Sequence, residues 1–148
     1  MKPLFNSPFE LSLRVSLSLS LSKVAMSLDQ LLLLDFLTTY GANFNFTSKN
    51  LHGDNPFYAS ELAARRRQLK VAIRQLVLSS MIVLVQNEKG FTYLIHPEAK
   101  TLYQQFTSSY AKAYLEQSRI VQKFCENKTE AELLHYIQSH TSFQGEQL

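Results

Sequence analysis

The apolar positions between Ser60 and Pro97 follow two different periods in succession. At about 100° per residue, Leu62, Leu69, Ala72, Ile73 and Leu76 fall on one face, which predicts an amphipathic helix that opens at Ser60-Glu61 and ends near Ser79. Met81-Ile82-Val83-Leu84-Val85 and Phe91-Thr92-Tyr93-Leu94-Ile95 then read as two strands, with Asn87-Glu88-Lys89-Gly90 as the tight turn between them. Gly90 can take the positive φ that a hairpin turn wants. On the helix, Arg67, Lys70 and Arg74 share an exposed face, whereas Arg65 projects close to the apolar stripe. Either Arg65 is paired there, or the helix bends near Arg65-Arg66-Arg67 and becomes two.

Upstream, Ser7-Pro8-Phe9-Glu10 has the form of a helix start, with Ser7 as cap, Pro8 at the first helical position and Glu10 able to reach back to the cap amide. Residues 8–22 themselves are ambiguous. Leu11, Leu13, Val15, Leu17, Leu19 and Leu21 alternate with polar residues at the strand period, yet Leu11, Val15, Leu19 and Ser22 also form a helical face. The specific capping pattern and the high helix propensity of Leu favour a helix. Ser27 with Gln30 caps a second helix through Leu31, Leu34, Leu37 and Tyr40, and Gly41 is expected to supply a left-handed stop. Asn43 to Asn55 reads as a loop.

From Pro97 onward Leu102, Tyr103, Phe106, Tyr110, Tyr114, Ile120, Val121 and Phe124 recur every three or four residues. They form one long helix or two with a break near Ser108-Ser109; unbroken, it would reach roughly 40 Å at the helical rise of 1.5 Å per residue. Thr129 with Glu132 announces a final helix, and the tail is expected to fray from Thr141. The expected fold is therefore mainly α with a small β-hairpin. Residues 1–97 would form a winged-helix-like domain, a module that grips DNA or other proteins. Residues 98–148 would form a helical extension, a long C-terminal helix or helical pair, packing on that domain and on a partner.

Composition narrows the functional classes. Only 18% of residues are charged and the net charge is +3, so the chain is weakly charged overall and binding to nucleic acid depends on where the charges sit. Ten Phe and seven Tyr suffice for a real core in a chain of 148 residues. Cys125 is the only cysteine, which excludes an intramolecular disulfide and fits a reducing cytoplasm. Glu10 and Arg14 flank or interrupt the Leu/Ser stretch, so neither a signal peptide nor a membrane span is expected.

Catalytic chemistry finds little support. There are four Gly and no phosphate-binding glycine loop, so no cofactor is expected. His52, His96, His135 and His140 are scattered without metal-ligand spacing. The candidate contacts are instead a basic group (Arg66, Arg67, Lys70 and Arg74, with Lys89 at the hairpin tip), facing either phosphate or an acidic protein patch. Phe5, Pro8 and Phe9, with the aromatic stripe Tyr103, Phe106, Tyr110 and Tyr114, form a candidate protein interface. Few Asn or Gln side chains accompany the basic group, which argues against sequence-specific base reading.

The order of many weak features resembles the small middle-component subunits of ABC-three-component systems, including those of Lamassu-type antiphage complexes. The pieces that carry the resemblance run from Asn6-Ser7-Pro8-Phe9-Glu10 with Leu13-Arg14 through Leu31 to Asp35 and Gly41. They continue with Leu51-His52, Asn55-Pro56-Phe57-Tyr58, Glu61-Leu62 and Arg66-Arg67, then Gly90-Phe91-Thr92-Tyr93 ahead of Pro97-Glu98-Ala99, and Ser109-Tyr110-Ala111 with Arg119. Ser80 stands where such subunits commonly have a glycine, and His96 where a threonine is common. The resemblance implies a non-catalytic adaptor that attaches to an SMC-like coiled-coil ATPase and connects it to an effector, often a nuclease, with DNA held in the complex. The competing expectation is a winged-helix transcription regulator that dimerises through residues 98–124.

Overall fold

The computed structural model describes residues 6–53 and 60–146, the last six by backbone alone. The elements follow the order α1 (Pro8–Ser20), β1 (Met26–Ser27), α2 (Leu28–Thr39), a 3₁₀ turn (Gly41–Phe44) and α3 (Glu61–Leu78), then β2 (Ile82–Asn87), β3 (Gly90–Ile95), α4 (Pro97–Gln104), α5 (Ser109–Cys125) and α6 (Glu130–Glu146). Among the described residues the chain is thus mainly helical, with six α-helices and one small antiparallel sheet in the order β1-β3-β2.

The ambiguous N-terminal segment is a helix. Ser7 Oγ accepts from the Glu10 amide at 3.3 Å, and the Glu10 carboxylate accepts from the Ser7 hydroxyl at 3.1 Å rather than reaching the cap amide. The serines that this helix buries are satisfied in different ways, locally at Ser20 and across the fold at Ser18, while Ser16 Oγ has no hydrogen-bond partner among the described residues. Ser20 Oγ donates to the Leu17 carbonyl at 2.6 Å, and Ser18 Oγ bonds Tyr114 Oη and Ser118 Oγ across the α1–α5 contact. Their small size lets α5 approach closely.

In α2, Ser27 and Gln30 form the reciprocal capping box, and every residue from Leu31 to Thr39 is buried. A helix apolar on all sides belongs in the interior. Leu31 and Leu32 join a core with Leu11, Val15, Leu69, Ile73, Ile82 and Tyr114, while Leu33, Leu34, Phe36 and Leu37 join a second one with Phe44, Val121, Leu133 and Ile137. The end of α2 departs from expectation. Gly41 does not take positive φ; the left-handed residue is Asn45, at φ 63°, after the 3₁₀ turn. Gly41 is needed for space, since a Cβ there would sit 2.7 Å from Thr47 Oγ1.

Helix α3 is unbroken from Glu61 to Leu78, so the alternative in which it bends at the three arginines does not occur. Its C-terminus closes with the Ser80 amide on the Val77 carbonyl and the Met81 amide on the Leu76 carbonyl, with Ser80 at φ 60°. That is the Schellman arrangement, which prefers glycine at the left-handed position. The hairpin pairs Ile82 with Ile95 through to Asn87 with Gly90, and Gly90 sits at φ 90°. The sheet gains a third strand that the pattern did not announce: Met26 pairs with Tyr93 and Ser27 with Thr92.

After the sheet, His96 caps α4 by accepting from the Glu98 amide at 3.2 Å, doing with a ring nitrogen what a threonine hydroxyl would do. The single long helix is not formed. α4 ends at Gln104, and Ser108 caps α5 through the Ala111 amide at 3.1 Å, so the chain breaks where Ser108-Ser109 marked it. Thr129 and Glu132 make a full capping box for α6, whose backbone stays helical to Glu146 instead of fraying at Thr141.

Candidate functional site

Three ionisable residues inside otherwise apolar segments meet where α1, α2 and α3 converge. Arg14 grips Asp35 with two bonds, Nε to Oδ1 at 2.9 Å and Nη2 to Oδ2 at 3.1 Å. Arg65 Nη1 donates to Asp35 Oδ2 at 3.0 Å and to Thr39 Oγ1 at 2.8 Å, while its Nη2 reaches Glu61 at 3.1 Å. Tyr114 donates its hydroxyl to Asp35 Oδ1 at 2.7 Å, tying in α5. The Arg65 guanidinium also lies 5.4 Å from the Phe36 ring centroid and 5.6 Å from that of Tyr40. Burial by itself would raise the Asp35 pKa, but the charges of Arg14 and Arg65 outweigh it and bring it down to about 2. Burial also pushes the Tyr114 phenol well up, which keeps it a neutral donor.

This junction fixes α3 against the rest of the fold and thereby sets where its outer face points. Sequence reading left Arg65 either paired beside the apolar stripe or at a bend in the helix, and gave Asp35 no part in a candidate site. The available signal was the coincidence of Arg14, Asp35 and Arg65, each an ionisable side chain set in an apolar stripe. His52 lies beside the junction. Its Nε2 is 2.7 Å from the Tyr110 hydroxyl, and burial, followed by the charge of Arg14, lowers its pKa to about 4. The neutral ring and the Tyr110 hydroxyl share this hydrogen bond.

The basic residues separate into distinct groups. Arg66 Nε bonds Asp29 at 2.8 Å, a half-exposed ion pair between α3 and α2. Beside it opens a groove of about 640 Å³ lined by Leu32, Leu33, Leu62 and Leu134, at the start of α3 and α6. Arg67, Lys70 and Arg74 lie exposed along the outer face of α3 and make no ion pair among the described residues. Lys89 is exposed at the hairpin tip, where its amide donates to Asn87 Oδ1 at 2.8 Å.

The candidate interface residues are likewise divided. Phe9 is 80% exposed and Pro8 is half-buried, whereas Phe5 falls outside the described residues. Tyr103 and Tyr114 are buried within this chain, and Phe106 and Tyr110 are half-buried against the same core. Of the histidines, His135 is exposed and His140 packs on Phe44 and Tyr136. Among the described residues no three His, Cys, Asp or Glu side chains are grouped to hold a metal, and no helix is long and apolar enough to cross a membrane. Burial raises the Cys125 thiol to about 11, so it stays protonated at neutral pH.

The described residues thus form a mainly helical chain with a small sheet, an exposed basic helix face and aromatic residues folded into its own core. The chain belongs to the family described as ABC-three component (ABC-3C) system Middle Component 2, which it matches over residues 4–147. It is thus a middle component of a three-component ABC system. No curated protein and no solved structure matches it.

Proposed function

We propose that this middle component is a non-catalytic adaptor built on a winged-helix-like domain, connecting an SMC-like coiled-coil ATPase to an effector nuclease in an antiphage or anti-plasmid defence complex. The observation that carries the reading is the arrangement around α3. Helix, strand, two helices and a hairpin follow in that order, with β1 paired to β3. The outer face of α3 and the hairpin beside it are left open, in a chain of this family. Residues 1–97 supply that module, and residues 98–148 pack on it and carry part of the partner surface. Phe9, exposed at the start of α1, supplies a second contact with Pro8 and Phe5. DNA contact is non-specific and secondary, through DNA held by the ATPase. The working place is the cytoplasm.

Co-expression with the neighbouring gene products, followed by affinity purification through each in turn, tests the proposal. Recovery of a complex containing a coiled-coil ATPase supports it, and a monomer that retains neither neighbour overturns it. The alternative, a homodimeric winged-helix regulator, draws on the exposed Arg67, Lys70 and Arg74. It would need a dimer helix over 98–124, where the chain instead breaks between Gln104 and Ser109.

A further inference from the structure

The outer face of α3 is not simply basic. At 3.6 residues per turn, Arg67, Val71, Arg74 and Leu78 fall within an arc of roughly 60°, with Lys70 beside it. Val71 is 43% and Leu78 75% exposed, so large apolar groups alternate with the cations along the helix. The hairpin continues the pattern. Its register sets Ile82, Leu84 and Gln86 on one sheet face with Ile95, Tyr93 and Phe91. That face starts in the core at Ile82 and Ile95 and emerges with Leu84 at 45% and Phe91 at 59% exposure. Leu78 ends α3 four positions before Ile82, and α3 packs against β2, so the exposed helix residues and the hairpin are neighbouring surfaces.

Two requirements follow for whatever covers this surface. It must bring negative charge to Arg67, Lys70 and Arg74, none of which has an ion-pair partner among the described residues. It must also bring apolar surface to Val71, Leu78, Leu84 and Phe91. A phosphate backbone meets the first and leaves the second facing charge. A protein helix with aliphatic residues three, four and seven apart, flanked by Asp or Glu, meets both.

We infer that the outer face of α3 and the exposed half of the β2–β3 hairpin bind an acidic amphipathic helix of a partner protein. The inference rests on the adaptor reading and names the chemistry of one partner surface. Three fluorescent probes test it against the full chain: a Leu/Glu amphipathic helical peptide of about 20 residues, matched to the length of α3; the same peptide with Lys for Glu; and a DNA duplex of about 25 base pairs, long enough for non-specific binding. Two variants accompany them, Val71→Ser with Leu78→Ser, which keeps the charge, and Arg67→Gln with Lys70→Gln and Arg74→Gln, which keeps the apolar groups. All the substituted side chains are exposed, and circular dichroism verifies the fold.

The expected result is binding of the acidic peptide alone, weakened at least about tenfold by either variant, the scale of losing central interface residues. Duplex binding that the Val71/Leu78 variant leaves unchanged, with no peptide binding, overturns the inference in favour of nucleic acid. Failure of all three probes to bind overturns it as well. Co-purification separates the two levels of the argument. A complex with the neighbouring ATPase that both variants retain at full strength sinks this surface while leaving the adaptor in place. No complex with the unaltered chain sinks the adaptor itself.

Discussion

Arg14 and Asp35 form a two-pronged ion pair in the interior, with side chains only 1% and 2% exposed. The pair joins α1 to α2, and Arg65 closes it from α3. Breaking a buried pair from one side leaves the other side's charge stranded in a medium of low polarity. Asp35→Asn leaves two guanidinium groups without their shared anion, and the expected loss is about 3–5 kcal/mol of unfolding free energy by denaturant titration. Replacing Arg14, Asp35 and Arg65 together by Met, Leu and Met should cost far less than that single change. Equal losses for the single and triple variants would show that packing, not stranded charge, governs the site.

The same carboxylate predicts how stability depends on acid. The Asp35 pKa is lowered to about 2 against an unfolded value of 3.8, so the unfolded chain binds the proton more readily. Its contribution is fully present above about pH 4 and fades as pH falls toward 2, amounting to about 2 kcal/mol across that window. His52 acts at milder pH. It is held neutral with its pKa lowered to about 4 from 6.5, so its contribution is present above 6.5 and drains away between 6.5 and 4. The charged groups acting on it are Arg14 and Arg65, which disfavour the imidazolium, and Asp35 and Glu61, which favour it. His52→Gln should flatten the fall in melting temperature between pH 6.5 and 4 while leaving the steeper fall below pH 4.

One residue along α3 from Arg65, Arg66 makes a pair of opposite character. Arg66 and Asp29 are 42% and 44% exposed, and water screens them. A double-mutant cycle on Arg66→Ala and Asp29→Ala should give a coupling below about 1 kcal/mol that shrinks further at high salt. A coupling comparable with that of Arg65 and Asp35 would contradict the screened geometry.

Ser80 holds a left-handed backbone at φ 60° in the Schellman closure of α3. A side chain there crowds the following carbonyl, a strain absent in glycine. Ser80→Gly is therefore expected to stabilise the chain by about 0.5–1 kcal/mol, the strain relieved less the greater freedom of glycine when unfolded. Ser79→Gly, at φ −90°, should destabilise instead. Thermal unfolding of the two variants side by side checks the opposite signs.

Much of this fold was legible because local chemistry and burial agree. Ser27 with Gln30 and Thr129 with Glu132 announce their helices, and both capping boxes form. The hairpin from Ile82 to Ile95 follows from two apolar runs around a glycine turn. What escaped was set by tertiary partners. β1 is only two residues long, too short for any alternation, and exists because Met26 and Ser27 lie along β3. Tyr103 and Tyr114 form a stripe that fits a partner surface as well as a core, and only the packing of α1 and α2 against α4 and α5 buries them. Periodicity reveals that a face is apolar, not what covers it. For the proposed docking face the pattern of charges located Arg67, Lys70 and Arg74, while the exposure of Val71, Leu78 and Phe91 needed the structure.

Gly41 offers the sharpest contrast between a conformational and a steric reason for glycine. A left-handed stop would tolerate Asn nearly as well as Gly and penalise Ala only through backbone strain. Here φ is not positive, and the first atom of any side chain would stand 2.7 Å from Thr47 Oγ1 and 3.2 Å from Thr47 Cγ2. Thr47 Oγ1 is itself committed, donating to the Lys49 carbonyl at 2.9 Å. Gly41→Ala is thus expected to destabilise by about 1–3 kcal/mol, the cost of overpacking, and Gly41→Asn by more because it is larger. Adding Thr47→Ala removes the opposing atoms and should restore most of the loss in the alanine variant. Denaturant midpoints for the three variants decide the matter: an Asn variant more stable than the Ala variant, with no rescue by Thr47→Ala, would return Gly41 to the role of a left-handed stop.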